Sequence, residues 1–370
     1  MLDKFGKNHS FGPWRGFNLL EKFTLKMNSP FVELDFQRMS DWGFDFVRLP
    51  MDYRCWILDS DFFKINEKVL RQIDQAVEFG RKYGIHVDMC FHRAPGYCIN
   101  PPKERLNLWK DEDALEACEH HCSLFAKRYK GVPSTQVSFN LVNEPLGDDL
   151  DEGIGTDMET YAMFTKRMLR AIRDIDADRL VLADGLITKG HYDPVPGVDD
   201  PLFGQSFHVY EPGWLTHIGA EWAHAWYVYG EKEQPPYPGV APNLDSYLEE
   251  LPPDSPDRGA YLAYRNVRVD KAWIENWMRN YLDLKEKKGT LVHCGELGIY
   301  AKKVPRGSQL NWFRDVLNIL AQHRVGWAVW NFRGSFGVIN TGREEFHNET
   351  LPNGDRLDGQ LLDIVRGHLK

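Results

Sequence analysis

Short apolar runs rich in β-branched and aromatic residues alternate along the chain with longer segments whose apolar positions recur at helical spacing. The short runs predict eight strands, at residues 14–19, 46–50, 86–91, 136–141, 180–183, 205–209, 291–294 and 326–331. The longer segments predict helices at residues 31–42, 67–82, 111–129, 156–174, 268–287 and 309–323. Eight strands that alternate with helices are typical of an α/β fold of the (β/α)8 or TIM-barrel type, which we expect here.

The interval between the sixth and seventh predicted strands is much longer than the others. Its excess, about residues 213–266, is rich in proline, tryptophan, tyrosine and acidic residues. We therefore expect a single domain over residues 1–370, with an insertion after the sixth strand on the face that carries the active site in such barrels. A flavodoxin-like sheet is the alternative fold, and it would need a phosphate-binding glycine loop after an early strand, which this sequence lacks.

The composition is that of an ordinary globular protein, since 42% of the 370 residues are apolar and 27% are charged. The net charge of -9 disfavours nucleic acid or an anionic membrane as a partner, because both attract a basic surface. No run approaches the roughly 20 apolar residues of a membrane span. Twelve Trp and fifteen Tyr are consistent with sugar binding, although a tryptophan-rich core would explain them equally well.

Six cysteines in a chain of this size do not suggest a disulfide framework. Residues 1–15 contain no apolar run that resembles the core of a signal peptide. We therefore expect a cytoplasmic protein if the chain starts at its natural N-terminus, and a secreted one if a leader has been removed. We also expect a monomer.

Polar and aromatic side chains gather at the C-terminal ends of the predicted strands, where the active sites of TIM barrels lie. These residues are Arg48, His92, Asn143, Glu144, His208, Tyr210, Glu296, Trp330 and Asn331. Each of them alone could be a capped strand end or a surface residue. Together, at six strand ends, they indicate an active site.

Glu144 and Glu296 are carboxylates among neutral and basic neighbours, which is what glycoside cleavage needs. One acid protonates the leaving oxygen while the other attacks or stabilises the sugar carbon. Pro145 disfavours a helical backbone at Glu144, so we expect this glutamate to be extended. An ionised Glu296 would raise the pKa of Glu144 and keep it protonated near neutral pH. Arg48 and Tyr210 could hold Glu296 ionised.

Two rival chemistries are less well supported by the sequence. The zinc-ligand types Cys118, His120, His121 and Cys122 lie close together, but they share one predicted helix, which cannot arrange four ligands at tetrahedral angles. We therefore expect no metal site. The chain also lacks the nucleophile-elbow motif of Ser/His/Asp hydrolases, and no predicted strand ends in the lysine that an aldolase would need.

Four motifs resemble glycoside hydrolase family 5, the cellulase family of (β/α)8 barrels. They are Leu-Val-Asn-Glu-Pro at 141–145, Phe-His-Val-Tyr at 207–210, Cys-Gly-Glu-Leu-Gly at 294–298 and Ala-Val-Trp-Asn at 328–331. Segments 43–50, 94–97 and 215–222 resemble the compact clostridial endoglucanases without a signal peptide. The resemblance covers nearly the whole chain.

The resemblance implies a retaining enzyme without a cofactor, in which Glu144 is the acid/base and Glu296 the nucleophile. The other implied roles are 2-hydroxyl binding by Asn143, orientation of the glutamates by His208 and Tyr210, bracing by Arg48 and His92, and a sugar platform formed by Trp330. Cys90 and Arg93 depart from the family pattern, in which an aspartate and a second histidine are common. They leave the support of His92 and the shape of the sugar pocket open.

The implied reaction is hydrolysis of internal β-1,4 bonds in cellulose-like or mixed-linkage β-1,3-1,4-glucans by double displacement. A β-mannanase or glucomannanase is the runner-up. An exo-acting β-glucosidase or β-1,3-glucanase is third, because the insertion could close one end of the cleft. A carbohydrate-binding module without catalysis predicts that Glu144 or Glu296 is altered, and both are present.

Overall fold

The computed structural model describes residues 11–151, 153–189 and 191–369. Residues 1–10, which make up most of the stretch considered for a signal peptide, lie outside the described residues. None of the helices in the described ranges combines the length and the apolar character that a membrane crossing requires.

The eight predicted strands are confirmed, with small shifts at their ends. They are β1 (Arg15–Asn18), β2 (Phe46–Asp52), β3 (His86–Arg93), β4 (Val137–Asn140), β5 (Leu180–Asp184), β6 (Phe203–Val209), β7 (Leu291–Leu297) and β8 (Gly326–Val329). They close into a barrel in the order β1-β8-β7-β6-β5-β4-β3-β2. The neighbours from β1 to β6 pair in parallel. The predicted TIM-barrel fold is therefore confirmed.

Helices connect most of the barrel strands. They are α1 (Glu33–Asp41), α2 (Glu67–Tyr83), α3 (Glu112–Arg128), α4 (Met158–Arg173), α5 (Gly213–Thr216), α6 (His224–Gly230), α7 (Leu244–Glu250), α8 (Asp257–Tyr264), α9 (Lys271–Trp277), α10 (Arg279–Lys288), α11 (Arg306–Gln322) and α12 (Gly359–Arg366). Five of the predicted helices correspond to α1, α2, α3, α4 and α11.

The predicted helix at 268–287 is wrong at its start and in its middle. Arg268–Val269 instead forms a short antiparallel pair with Gly239–Val240. Helix α9 begins after Asp270, whose carboxylate accepts the backbone N–H of Trp273 at 3.1 Å and caps the helix. The helix then ends at Trp277, and α10 starts two residues later.

The chain divides into two compact units, and the boundaries between them fall inside β6, α10, β7 and β8 and directly before β8. The first unit comprises Met1–Phe207, Asn280–Gly295 and Gly326–Ala328, and the second comprises His208–Arg279, Glu296–Val325 and Val329–Lys370. The single domain over residues 1–370 and the insertion at 213–266 stay predictions.

In the first unit, α2 shows how the sequence pattern builds the helical layer. Val69, Ile73 and Val77 recur at helical spacing and are buried. Gly84 ends the helix at a φ of 67°, a left-handed conformation that costs glycine little. Next to β1, the ring of Trp14 stacks on His86 of β3, with ring centroids 3.7 Å apart.

In the second unit, residues 213–266 contain α5 to α8, which pack around aromatic rings. Trp226 meets Tyr261 edge-on at a centroid distance of 5.3 Å, and Tyr247 lies 5.4 Å from the same ring. The Tyr261 hydroxyl donates to the carbonyl of Ala225 at 2.7 Å. The aromatic residues of this segment therefore form a local core.

Candidate active site

The backbone of Glu144 follows β4 in a conformation that glutamate rarely adopts, with a φ of 47°. Its N–H donates to Oδ2 of Asp184 at 3.1 Å, and its carbonyl accepts the Tyr97 hydroxyl at 2.6 Å. The Tyr97 oxygen also accepts the N–H of Leu146 at 2.9 Å. The prediction that Pro145 keeps Glu144 extended is wrong, because these contacts hold the backbone in the left-handed region.

The side chain of Glu144 is partly exposed and meets two neighbours from the same unit. The Tyr192 hydroxyl donates to Oε1 at 2.8 Å. The side-chain amide of Asn143 lies 3.4 Å from Oε2, which is a long and weak hydrogen bond. The better-defined partner of this carboxylate in the first unit is therefore Tyr192.

Arg48, on β2, is fully buried and holds Asn143. Its Nη2 donates to Oδ1 of Asn143 at 2.7 Å and lies 3.7 Å from the carboxylate of Asp184. Because Asp184 also accepts the backbone N–H of Glu144, one buried network fixes both Asn143 and Glu144. The expected contact between Arg48 and Glu296 stays a prediction.

His92 ends β3 and receives its support from a residue that the sequence did not suggest. Its Nε2 lies 2.9 Å from Oδ1 of Asn100, and its ring meets Phe23 edge-on at 4.7 Å. Cys90 lies beside Arg48 instead, with its Sγ 3.0 Å from Nη2. His92 therefore has a hydrogen-bond partner, Asn100 on the loop that follows β3, although Cys90 replaces the aspartate of the family pattern.

Arg93 is buried and anchors the loop after β3. It donates to the carbonyls of Asn100 at 2.6 Å and Pro102 at 2.9 Å. It also pairs with Glu104 at 2.6 Å and with Asp52 at 3.4 Å. The arginine at this position therefore ties the loop that carries the partner of His92 to the end of β2.

Glu296 lies near the end of β7 and is 3% exposed. The Tyr210 hydroxyl donates to its Oε2 at 2.9 Å, and Nδ1 of His208 lies 3.6 Å from the same oxygen. His208 is fully buried and is the second-to-last residue of β6, two residues before Tyr210. The ends of β6 and β7 thus bring three of the predicted site residues together.

Trp330 follows β8 and packs against the buried residues Ala220, Tyr300 and Phe336. A Cβ on Gly298 would lie 2.8 Å from the carbonyl oxygen of Trp330, so only glycine permits this close approach. Asn331 is buried and follows Trp330 through a cis peptide bond.

Trp222 is the outermost ring of this aromatic cluster, with 63% of its surface exposed. Its ring meets Tyr300 edge-on at a centroid distance of 5.0 Å and lies 6.2 Å from Phe336. An exposed indole with fixed neighbours offers a flat apolar face at a wet surface. Such a face suits the C–H side of a sugar ring.

The cysteine and histidine side chains on α3 take part in packing. Nδ1 of His121 accepts the indole N–H of Trp56 at 2.9 Å, and burial lowers the pKa of His121 to about 3. Burial also raises the pKa of Cys122 to about 12 and raises that of Cys118. Both sulfurs are therefore protonated thiols at neutral pH.

The cellulase family, glycosyl hydrolase family 5, matches residues 6–335 of the chain. The chain belongs to this family. A solved structure described as a glycoside hydrolase is similar to it with a TM-score of 0.81 and 31% identity, covering 96% of this chain and 99% of that chain. The resemblance drawn from the sequence motifs is confirmed, and the chain is a glycoside hydrolase of the cellulase type.

Two named relatives are similar to the chain over most of its length. Endoglucanase C of Acetivibrio thermocellus is 25% identical over 323 residues, which cover 86% of this chain and 89% of the relative. Cellodextrinase A of Ruminococcus flavefaciens is 24% identical, covering 79% of this chain and 76% of the relative.

Sequence reasoning missed several residues that contact the predicted site residues or their neighbours, namely Tyr97, Asn100, Asp184, Tyr192 and Trp222. The sequence positions of three of them could have indicated a place in the site. Tyr97 and Trp222 end segments 94–97 and 215–222, and Asp184 is the last residue of β5, directly after the predicted strand. Asn100 and Tyr192 lie beyond the strand ends, where their sequence positions carry no such signal.

Proposed function

We propose that the chain is a retaining endo-β-glucanase that cuts internal β-1,4 bonds of cellulose-like or mixed-linkage β-1,3-1,4-glucans. Glu296 is the nucleophile and Glu144 the acid/base. The convergence of Tyr210 and His208 on one oxygen of Glu296 carries the proposal. Hydrogen bonds to the ionised form of a carboxylate favour that form, which a nucleophile requires.

The reaction proceeds by two displacements at the anomeric carbon. Glu296 attacks this carbon while Glu144 gives its proton to the departing glycosidic oxygen, which leaves a glycosyl ester on Glu296. Glu144, now ionised, then removes a proton from water as the water oxygen displaces Glu296. Two inversions retain the configuration, and this mechanism requires carboxyl groups about 5–5.5 Å apart, whereas about 9 Å would favour inversion.

Neighbouring side chains support the binding of a chain-like sugar. The fixed amide of Asn143 binds the 2-hydroxyl of the sugar being cleaved, and Trp330 forms the platform beneath that sugar. Residues 213–266 form an insertion that contributes to the cleft. Trp222, in this segment, extends the aromatic surface for a further sugar ring.

Short β-1,4-glucan oligosaccharides are the second candidate substrate. The name of the Ruminococcus flavefaciens relative, Cellodextrinase A, favours this class. A cellodextrin-cleaving enzyme would use the same two glutamates and differ in the length of chain that it accepts.

Product analysis tests the proposal. The enzyme is incubated with barley mixed-linkage glucan, carboxymethyl cellulose, cellodextrins and mannan, and the products are separated by size. We expect a rapid fall in polymer length on the glucans and newly formed β-anomers by proton NMR. Predominant cleavage of mannan would overturn the glucanase assignment, and initial α-anomers would overturn the retaining mechanism.

A further inference from the structure

A small hairpin after β5 is hydrogen-bonded to the segment that carries Glu144. The hairpin pairs Leu186–Thr188 with His191–Asp193 in antiparallel fashion. On its inner strand, the N–H of Ile187 donates to the carbonyl of Pro145 at 2.8 Å, and its carbonyl accepts the N–H of Gly147 at 2.8 Å. Two backbone hydrogen bonds therefore join the hairpin to the residues that follow Glu144.

Tyr192 is the residue directly opposite Ile187 in this hairpin. Its partly buried side chain places the phenolic hydroxyl 2.8 Å from Oε1 of Glu144. The main chain of Glu144 is fixed separately by Asp184 and Tyr97. The side chain of Glu144 thus has its own hydrogen-bond donor, on an element tied to the same backbone.

We propose that Tyr192 is a positioning residue for the acid/base Glu144, an inference that rests on the proposed function. The Tyr192 hydroxyl donates to Oε1 at 2.8 Å and so fixes the rotation of the carboxyl group that delivers the proton to the leaving sugar.

The same hydrogen bond sets the pH range of the acid/base. A hydroxyl that donates to a carboxylate favours the ionised form. Loss of the hydroxyl therefore favours the protonated form and moves the basic limb of the activity profile to higher pH. It also frees the carboxyl group to rotate, which weakens proton delivery to leaving groups that need it.

Tyr192→Phe tests this role, with Tyr83→Phe as a matched control. The Tyr83 hydroxyl donates to Glu33 at 3.1 Å, so the control also removes a tyrosine–glutamate hydrogen bond from the first unit. We measure kcat/KM against pH on a cellooligosaccharide, whose leaving group needs a proton, and on a dinitrophenyl β-cellobioside, whose leaving group does not. Thermal unfolding checks that both variants are folded.

For Tyr192→Phe we expect about a tenfold loss on the oligosaccharide, little loss on the dinitrophenyl substrate, and a basic limb moved up by about one pH unit. Tyr83→Phe should match the wild type. Equal losses on both substrates with an unmoved basic limb would overturn the positioning role. Glu144→Ala separates the two hypotheses, since full activity of that variant on the oligosaccharide would overturn the proposed function itself.

Discussion

The hydroxyl of Tyr210 donates a 2.9 Å hydrogen bond to Oε2 of Glu296, the oxygen that also faces Nδ1 of His208. Tyr210 and His208 come from the end of β6, while the carboxylate comes from β7. The orientation of the proposed nucleophile therefore depends on the register between the ends of two strands, and not on the residues next to it in sequence.

Tyr210→Phe should lower kcat by roughly ten- to a hundredfold, because a hydrogen bond to a charged group is lost from a buried site. The acidic limb of the pH profile should move to higher pH, since a donor that favours the ionised carboxylate is gone. Kinetics between pH 4 and 8 measure both effects. The control is Tyr247→Phe, which removes a 3.3 Å hydrogen bond from a tyrosine to a different glutamate, Glu233. An acidic limb that does not move in Tyr210→Phe would contradict this account.

Arg48→Lys keeps the positive charge but loses the planar fork that holds Asn143. We expect the free energy of unfolding to fall by about 3 kcal/mol, because the buried partners lose their donors. Activity should fall by more than about tenfold. Arg128→Lys is the control, since Arg128 pairs with Asp74 but is partly exposed, and such pairs contribute little. Comparable denaturation curves for the two variants would contradict the importance of the buried network.

Asp88, on β3, gives a prediction for stability against pH. Burial raises the pKa of Asp88 to about 6, against the opposing hydrogen bond from Ser138 and the charge of Arg48. Between about pH 4 and pH 6 the folded protein holds a proton at Asp88 that the unfolded chain has released. The stability contributed by this group is therefore present at low pH and is lost as the pH rises through 6.

The free energy of unfolding of Asp88→Asn, measured relative to that of the wild type, should therefore increase by about 2 to 3 kcal/mol between pH 4 and pH 7. Urea denaturation at both pH values measures this difference. The exposed Asp254 provides the control, because Asp254→Asn removes a carboxylate that is not buried. A difference between Asp88→Asn and the wild type that is the same at both pH values would rule out the buried titration.

Trp222→Ala tests the exposed end of the aromatic cluster. Because the ring is mostly exposed, the melting temperature should change little. The KM for long cello-oligosaccharides should rise about tenfold, which is a loss of about 1.4 kcal/mol of binding, with an unchanged KM for a short aryl cellobioside. Trp222→Phe should restore part of the affinity. An equal rise in KM for both substrates would argue against a separate sugar contact at this ring.

Local patterning predicted the barrel well, because each strand carries its own signal. Runs such as 180–183 are apolar on both faces, as a buried parallel strand must be, and Gly84 marks the end of the helix that precedes the strand at 86–91. The prediction of one helix over residues 268–287 was wrong because it rested on amphipathic spacing alone. Asp270 was the available capping signal for a later start.

The site was predictable to the extent that its residues end strands. Glu296 and Tyr210 follow this rule. The left-handed backbone of Glu144 did not follow from its neighbours, because it depends on Tyr97 and Asp184, which are distant in sequence. Tyr192 reaches Glu144 through a hairpin whose pairing is decided only once the chain is folded.

Residue 144 carries a side chain that its own backbone disfavours. Glycine and asparagine enter the left-handed region more easily than glutamate does, so either one would relax the chain at this point by roughly 1 kcal/mol. An engineering campaign that ranks substitutions by thermostability alone would therefore favour replacing the proposed acid/base. If the proposed mechanism holds, the more heat-stable protein that results would be inactive.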